Sequence, residues 1–153
     1  MFLTIIAALL AGGWQFQERT DEMTDVTITT AVLSSEAGSE TMHVMCSEGL
    51  GVLVVRWAES NIISGDAVDV TYRLDAAPPV EFPWRVSETD PHTIALPADR
   101  DVAPVLRRMA AAERMLIRVS PRNDTSSLAR FDPAGLAELL PKFKSCNFNG
   151  ADK

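Results

Sequence analysis

Two runs of strict apolar–polar alternation lie within residues 68–86, and this stretch constrains the fold more than the rest of the sequence does. Strict period 2 is typical of β-strands that have one buried and one solvent-exposed face. The connection between the runs, residues 75–79, is short and ends in two prolines, so it predicts an antiparallel hairpin. The predicted core face carries Val68, Val70, Tyr72 and Leu74 on the first strand and Val80, Phe82, Trp84 and Val86 on the second.

The two largest side chains of this hairpin, Tyr72 and Trp84, are predicted to lie in the core. Pro83 has no N–H to donate, so its strand is predicted to be an edge, or to be bulged at that point. Arg73 can form an ion pair across the outer face with Asp75 or Glu81. The charged residues predicted to point away from the core are Asp69, Arg73, Asp75, Glu81 and Arg85.

Shorter alternating or apolar runs predict further strands elsewhere in the chain. Residues 42–46 place Cys46 on the inward face, and residues 50–57 are apolar on both faces, which is typical of a central strand. The predicted strands outside the hairpin are 26–32, 42–46, 50–57, a short one at 93–96, 115–119 and 128–131.

Two helices are predicted in the C-terminal half. Val102, Val105, Leu106 and Met109 have helical spacing, with Asp99 or Asp101 as the N-cap and Pro104 in the first turn. Asp132 and Pro133 predict the cap and first residue of a second helix, whose buried stripe is Leu136, Leu139 and Leu140. The predicted fold is therefore α+β and mainly β, with antiparallel, sandwich-like sheets of about seven strands and two C-terminal helices.

The N-terminus predicts export. Residues 2–11 are uncharged and apolar, and Ala11 and Gly13 occupy the −3 and −1 positions of a cleavage site before Trp14. The run is too short to span a bilayer, so residues 1–13 are interpreted as a signal peptide and 14–153 as a single mature domain without an integral membrane span. Because the segment before the run has no Lys or Arg, a buried first strand or helix is the alternative.

Cys46 and Cys146 are the two cysteines of the chain. In an oxidising compartment two cysteines most simply form one disulfide, and the alternative is two unrelated buried thiols. With no CxxC pair and only two histidines, the sequence predicts neither a metal site nor a cofactor.

The charge balance argues against nucleic acid as a partner. The chain has 21 acidic and 14 basic residues, a net charge of −7, whereas phosphate-backbone binding requires clustered Lys and Arg. Arg107, Arg108 and Arg114 come nearest to a cluster, and on a helix they are interpreted as a solvated face.

Several short motifs follow one another along the chain. They are Trp14, the acidic patch that ends in Met23-Thr24-Asp25, Cys46, 70–75 (VTYRLD), 84–87 (WRVS), 116–118 (LIR), 131–136 (FDPAGL) and Cys146. Their order resembles the periplasmic VasI/TagO family, which is associated with type VI secretion and has stand-alone and phage-encoded relatives. The acidic patch departs from that family's Met followed by paired aspartates, and the aromatic residue after the last cysteine is displaced to Phe148. The resemblance implies a periplasmic or secreted accessory protein of the envelope, with no catalytic residues to carry over.

The sequence contains no strong candidate for a set of catalytic residues. His43 lies within a predicted strand and His92 in a turn, and Ser87, His92 and Asp90 lack the glycine pattern of a nucleophile elbow. Asp66 and Asp69 can be nominated as paired carboxylates, but nothing distinguishes them from the other acids. The glycine-containing segment from Gly49 to Gly51 is not followed by the lysine of a phosphate-binding loop.

Two hypotheses follow. The first is a non-enzymatic binding module that docks on another envelope protein through the outer face of the hairpin, with Asp69, Arg73, Asp75, Glu81 and Arg85 as the candidate docking residues. The alternative is a small envelope hydrolase, or a hydrolase inhibitor, acting on peptidoglycan chemistry. A hydrolase requires a concave pocket with converging polar groups, whereas a docking module does not.

Overall fold

The computed structural model describes residues 6–11, 13–57, 65–97, 100–121 and 125–149. These residues form ten strands and two helices. The strands are β1 (Ile6–Ala11), β2 (Trp14–Thr20), β3 (Thr27–Ser34), β4 (Thr41–Ser47), β5 (Leu50–Arg56), β6 (Ala67–Leu74), β7 (Val80–Val86), β8 (Thr93–Ala95), β9 (Met115–Ser120) and β10 (Ser127–Phe131). The helices are α1 (Val102–Ala110) and α2 (Leu136–Leu139), and a 3₁₀ turn, Leu140–Lys142, follows α2.

All ten strands belong to one sheet with the order β1-β2-β3-β4-β5-β8-β7-β6-β9-β10, and neighbouring strands run antiparallel. The first half, β1 to β5, follows the order of the chain. The second half does not, because β8 pairs with both β5 and β7, and the chain then passes through α1 to place β9 beside β6. This confirms the predicted mainly antiparallel β class with two C-terminal helices, and the structure has more strands than the sequence predicts.

The additional strands lie at the N-terminus. In β2, Trp14 and Phe16 are buried and Gln15 and Gln17 are exposed, but the alternation fades towards Thr20, so the sequence pattern there was too short to predict a strand. Strand β1 lies within the segment interpreted as a signal peptide, and it pairs with β2. That pairing matches the alternative of a first strand, and the cleavage before Trp14 stays a prediction.

One core serves both halves of the sheet. It includes Trp14, Trp57 and Trp84, one each from β2, the end of β5, and β7, and all three side chains are at most 1% exposed. The indole Nε1 of Trp14 donates to the Pro133 carbonyl oxygen at 3.2 Å, which joins β2 to the segment before α2. Tyr72 and Trp84 are 4% and 0% exposed, as the hairpin pattern predicts.

The prediction that Pro83 marks an edge strand or a bulge is wrong, because β7 lies between β8 and β6, but β8 is too short to reach Pro83. Pro83 pairs with Asp69 of β6 without a register shift, and β8 pairs only with Arg85 and Val86 on the other side of β7. Val86 N donates to the Asp66 oxygen on the β6 side, and backbone groups alternate along a strand. The Pro83 nitrogen therefore faces the side of β7 that has no partner at this position, so the missing N–H removes no ladder hydrogen bond.

The two helices differ in how well the sequence predicted their starts. Asp101 caps α1, since its side chain accepts from Ala103 N at 3.0 Å, and the other candidate cap, Asp99, lies outside the described residues. The predicted cap of the second helix is wrong. Asp132 Oδ1 accepts from Ala134 N in a separate turn. Gly135 then has φ 95°, a left-handed conformation that is incompatible with a right-handed α-helix. Helix α2 therefore starts at Leu136.

The C-terminal segment is fixed onto β4 and β5. The Cys46–Cys146 disulfide closes a loop of 100 residues with a Cα–Cα distance of 6.0 Å, which confirms the predicted bond. Phe148 packs on Gly51, where an added Cβ would lie 2.5 Å from the aromatic ring, so the ring occupies space that only glycine leaves open. Arg107 Nη1 also donates to the Phe148 carbonyl oxygen at 3.1 Å.

Candidate binding surface

The five charged residues predicted to point outward from the β6–β7 hairpin are all exposed. The register between the strands places Thr71 opposite Glu81, Asp69 opposite Pro83 and Ala67 opposite Arg85. Directly opposite residues of an antiparallel pair share a face, so Asp69, Glu81 and Arg85 lie on one surface with Arg73. The exposed residues are Asp69, Arg73, Asp75, Glu81 and Arg85.

Asp75 differs from the other four because its carboxylate is used within the fold. It follows β6 in a left-handed conformation, φ 49°, and accepts hydrogen bonds from Glu113 N at 3.0 Å and Arg114 N at 2.9 Å. Its own backbone N–H donates to the Arg114 carbonyl oxygen. Asp75 therefore holds the turn that leads into β9, a structural role that the alternation pattern did not indicate.

Arg73 is held by the hairpin loop rather than by a carboxylate. Its Nε donates to the Ala77 carbonyl oxygen at 3.0 Å and its Nη2 to that of Ala76 at 3.4 Å. Among the residues that the structure describes, no carboxylate of Asp75 or Glu81 forms an ion pair with it. The guanidinium is thus fixed in position, and part of its donor capacity stays available at the surface.

Strands β9 and β10 extend this surface with two more arginines. Arg118 lies opposite Thr71 of β6, and Arg130 lies opposite Leu116, which itself lies opposite Arg73. Arg118 and Arg130 are exposed, while their sequence neighbours Ile117, Val119, Ala129 and Phe131 are buried. No local sequence pattern predicts this grouping, because it depends on the pairing of β6 with β9 across about 45 residues of chain.

We call this surface the arginine face and define it by the outward residues of β6, β7, β9 and β10. It contains four arginines and two carboxylates, since the carboxylate of Asp75 is occupied. The arginine face is therefore net positive on a chain whose net charge is −7. Its charged members are Arg73, Arg85, Arg118, Arg130, Asp69 and Glu81.

A shallow depression of about 190 Å³ lies in the arginine face. Leu116, Leu128 and Pro79 contribute its apolar surface, and the side chain of Leu128 is 44% exposed. Arg73 and Arg118 also line it, so the depression joins apolar contact area to positive charge. Such a combination fits a ligand that carries both an aliphatic group and a negative charge.

The Ser87, His92 and Asp90 set is engaged in turn structure. Asp90 Oδ1 accepts from the His92 backbone N–H at 3.0 Å, and Asp90 Oδ2 contacts the Thr93 hydroxyl at 2.7 Å and Arg56 Nε at 3.4 Å. These hydrogen bonds lower the pKa of Asp90, and the bond from the His92 backbone has the largest effect. The carboxylate thus stabilises a turn between β7 and β8.

His43 lies half-buried on the outer side of β4. Its Nε2 is 3.0 Å from the Thr41 hydroxyl, and burial, followed by the charge of Arg56, lowers the pKa of its imidazole. Asp66, nominated with Asp69 as a carboxylate pair, is an exposed residue directly before β6. Neither His43 nor Asp66 lines the depression of about 190 Å³ in the arginine face.

A second depression, of about 320 Å³, lies beside the C-terminal segment. Its charged lining is Glu18, Asp25, Glu48 and Lys144, so it includes the end of the acidic patch at residues 21–25. Within the described residues, no group of three or more His, Cys, Asp or Glu side chains is arranged to hold a metal ion. None of the helices in the same residues is long and apolar enough to cross a membrane.

Comparison with known proteins gives a likeness of fold. No family model matches the chain, and no curated protein matches it. The fold is similar to the crystal structure of invasion associated protein B from Bartonella henselae, with a TM-score of 0.61 over 90% of this chain and 96% of that chain. At 10% sequence identity, this likeness concerns the fold alone.

Proposed function

We propose that this chain is an exported, non-enzymatic binding module of the bacterial envelope that docks on another envelope protein through the arginine face. The observation that carries the proposal is the set of exposed arginines without carboxylate partners among the described residues: Arg73, Arg85, Arg118 and Arg130. Exposed charges of this kind contribute at most about 1 kcal/mol to stability, so their grouping is better explained by an external contact.

Export is supported by the disulfide and by the N-terminal sequence. Disulfides persist in oxidising compartments, and Cys46–Cys146 joins β4 to the C-terminal segment. The apolar run at residues 2–11 has the composition of a signal peptide. The resemblance to the VasI/TagO family also supports an envelope location, and a link to type VI secretion belongs to the same proposal.

The non-enzymatic part of the proposal is supported by how the nominated catalytic groups are used. Both carboxylate oxygens of Asp90 accept bonds from turn and strand groups, and Ser87 Oγ is within 3.3 Å of the Thr89 hydroxyl and backbone nitrogen. A general base or nucleophile must instead contact the reacting group. The carboxylate of Asp90 therefore stabilises the turn between β7 and β8 through these hydrogen bonds.

The test combines Arg85→Glu with Arg118→Glu and compares the variant with Arg19→Glu, an exposed strand arginine outside the arginine face. Periplasmic extract is passed over each protein, the recovered partner is purified, and its affinity for each variant is measured by calorimetry. We expect the double variant to keep its melting temperature and to lose affinity about tenfold or more, while Arg19→Glu changes little. Equal affinity of the two variants would contradict docking through this face.

The same preparation tests the absence of catalysis. Purified peptidoglycan is incubated with the wild-type protein, and soluble fragments are measured over time. We expect no release above a buffer control. Release that depends on the protein, and that is lost in Asp90→Asn, would support the hydrolase alternative.

A further inference from the structure

Arg118 and Arg130 stand at the side of the sheet where the strand order ends. Strand β10 is the terminal strand after β9, and Arg118 and Leu128 are directly opposite each other across this last pair. Arg130 lies diagonally from Arg118, at a distance that long side chains span. The two guanidinium groups therefore flank Leu128, whose side chain is 44% exposed and lines the depression in the arginine face.

Among the residues that the structure describes, none pairs with the outer edge of β10 at Leu128. Glu36 N donates to the Arg130 carbonyl oxygen at 2.8 Å from outside the sheet, so the backbone polar groups of Arg130 face away from β9. These groups alternate along a strand, so the N–H and C=O of Leu128 face the same way as those of Arg130. No backbone hydrogen bond to Leu128 is made from outside the sheet by the described residues. An open edge of this kind is able to pair with an added extended segment.

Charge favours a polypeptide with a few carboxylates over an anionic surface. With a net charge of −7, the whole molecule is repelled by an anionic membrane or by nucleic acid, even though the arginine face is locally positive. A short acidic segment contacts only the local positive patch, and its backbone also meets the open groups of Leu128. A lipid headgroup offers no matching backbone.

We propose that an extended acidic segment of an envelope partner pairs with the edge of β10 at Leu128 and places its carboxylates on Arg118 and Arg130. An aliphatic side chain of the segment covers the depression between Leu116 and Leu128, with Arg73 at its far rim. This inference rests on the proposed binding function and specifies the chemistry of the partner at the same surface. The pairing adds one short antiparallel or parallel strand to the sheet.

The probe is the peptide fluorescein-Gly-Asp-Thr-Val-Thr-Asp-Gly-amide, whose two Asp and one Val side chains share one face when it is extended. It is titrated with the full chain in about 50 mM salt, where surface charge is weakly screened. Three matched probes accompany it: the same peptide with Asn in place of Asp, the same peptide N-methylated at its three central residues, and phosphatidylglycerol vesicles. The protein variant is Arg118→Gln with Arg130→Gln, and Arg19→Gln is the control. Melting curves verify that each variant is folded.

We expect the Asp peptide to bind at least about fivefold more tightly than the Asn peptide, and to lose about fivefold or more in the double variant but not in Arg19→Gln. The N-methylated peptide should bind more weakly than the Asp peptide, because it lacks backbone donors for the β10 edge. In an NMR titration, the amide of Leu128 should shift.

Three results would overturn the inference. Equal binding of the Asp and Asn peptides would remove the role of charge, and full binding of the N-methylated peptide would remove the strand pairing. Arginine-dependent binding of vesicles without binding of the peptide would assign the face to lipid. If the peptide fails while capture of the envelope partner still depends on Arg85 and Arg118, only this inference is wrong and the proposed function stands.

Discussion

The outer faces of the two halves of the sheet differ in charge although both halves share one core. The outward residues at the centre of β3, β4 and β5 form what we call the aliphatic face, defined by Thr30, Val32, His43, Met45, Val52 and Val54. These residues are each half-buried, since neighbouring aliphatic side chains shield one another. On the arginine face, the corresponding positions carry four arginines and two unoccupied carboxylates.

This difference in charge distinguishes the residues that stabilise the fold from those that are available for contacts with other molecules. Apart from Thr29, the buried strand residues of both halves belong to one hydrophobic core, because each half must remove the same kind of surface from water. Outward residues contribute little to stability, so their character varies without loss of the fold. A surface that is charged in one half and aliphatic in the other therefore reflects different surroundings.

Trp84→Ala should have the largest effect and shows whether the shared core makes the two halves unfold together. Removing this fully buried side chain from β7 should cost about 3–5 kcal/mol through lost packing and the cavity it leaves. Trp14 and Trp57 remain as fluorescent reporters at the first half. Denaturant unfolding followed by fluorescence and by far-UV circular dichroism should give one coincident transition. Two separate transitions would show that the halves are independent units.

Replacement of Cys46 and Cys146 by alanine should come next, because the bond joins the first half of the sheet to the segment that follows the second. Opening a loop of 100 residues should cost about 2–5 kcal/mol of the free energy of unfolding. The wild-type protein with reductant should fall to the stability of the variant, and the variant should not respond to reductant. A wild-type melting curve that is insensitive to reductant would contradict a stabilising bond.

A glutamate placed on one outer face should lower the free energy of unfolding more than a glutamate placed on the other, and this difference should be smaller than the two effects above. Met45→Glu introduces a charge between Thr30 and Val52 and should cost about 1–2 kcal/mol, since it removes apolar contact and neither residue directly opposite is cationic. Leu116→Glu lies between Arg73 and Arg130, so the attraction should limit its cost to about 0–1 kcal/mol. Unfolding at low and high salt measures both effects. Salt should destabilise only the Leu116 variant, and an equal response of both variants would contradict the charge difference.

The smallest effect should come from the protonation of His43, the titratable residue at the centre of the aliphatic face. Burial, and then Arg56, lower the pKa of His43 below 6.5, so the unfolded chain takes up this proton at higher pH than the folded chain. The free energy of unfolding should therefore fall as the pH drops below about 6.5, and level off below the folded-state pKa.

The comparison for this effect is His43→Gln, which removes the titrating group. The stability advantage of the wild-type protein over the variant should be larger at about pH 7.5 than at about pH 5, because only the wild type is destabilised by protonation. Denaturant unfolding at the two pH values measures this difference. An advantage that is the same at both pH values would show that His43 does not titrate differently in the folded and unfolded states.

Local patterns predicted the elements well where the signal lay within one strand or helix. The alternation at residues 68–86 placed Tyr72 and Trp84 in the core, and helical spacing with Asp101 as the cap gave α1. The start of α2 was predicted wrongly, because Asp132 and Pro133 form a turn and Gly135 adopts a left-handed conformation before the helix begins. The sequence pattern of a cap is the same in both cases.

Alternation is a property of consecutive residues and needs no partner strand, so the amino-acid sequence is sufficient to predict which side chains of the hairpin strands face the core. The net charge and the two cysteines that form the disulfide are likewise read from the sequence. The position of Arg118 and Arg130 beside Arg73, and the hydrogen bonds from Glu113 N and Arg114 N to the carboxylate of Asp75, depend on the folded chain. They depend on it because the register between strands distant in the chain follows from the packing of the whole core, which no local pattern specifies.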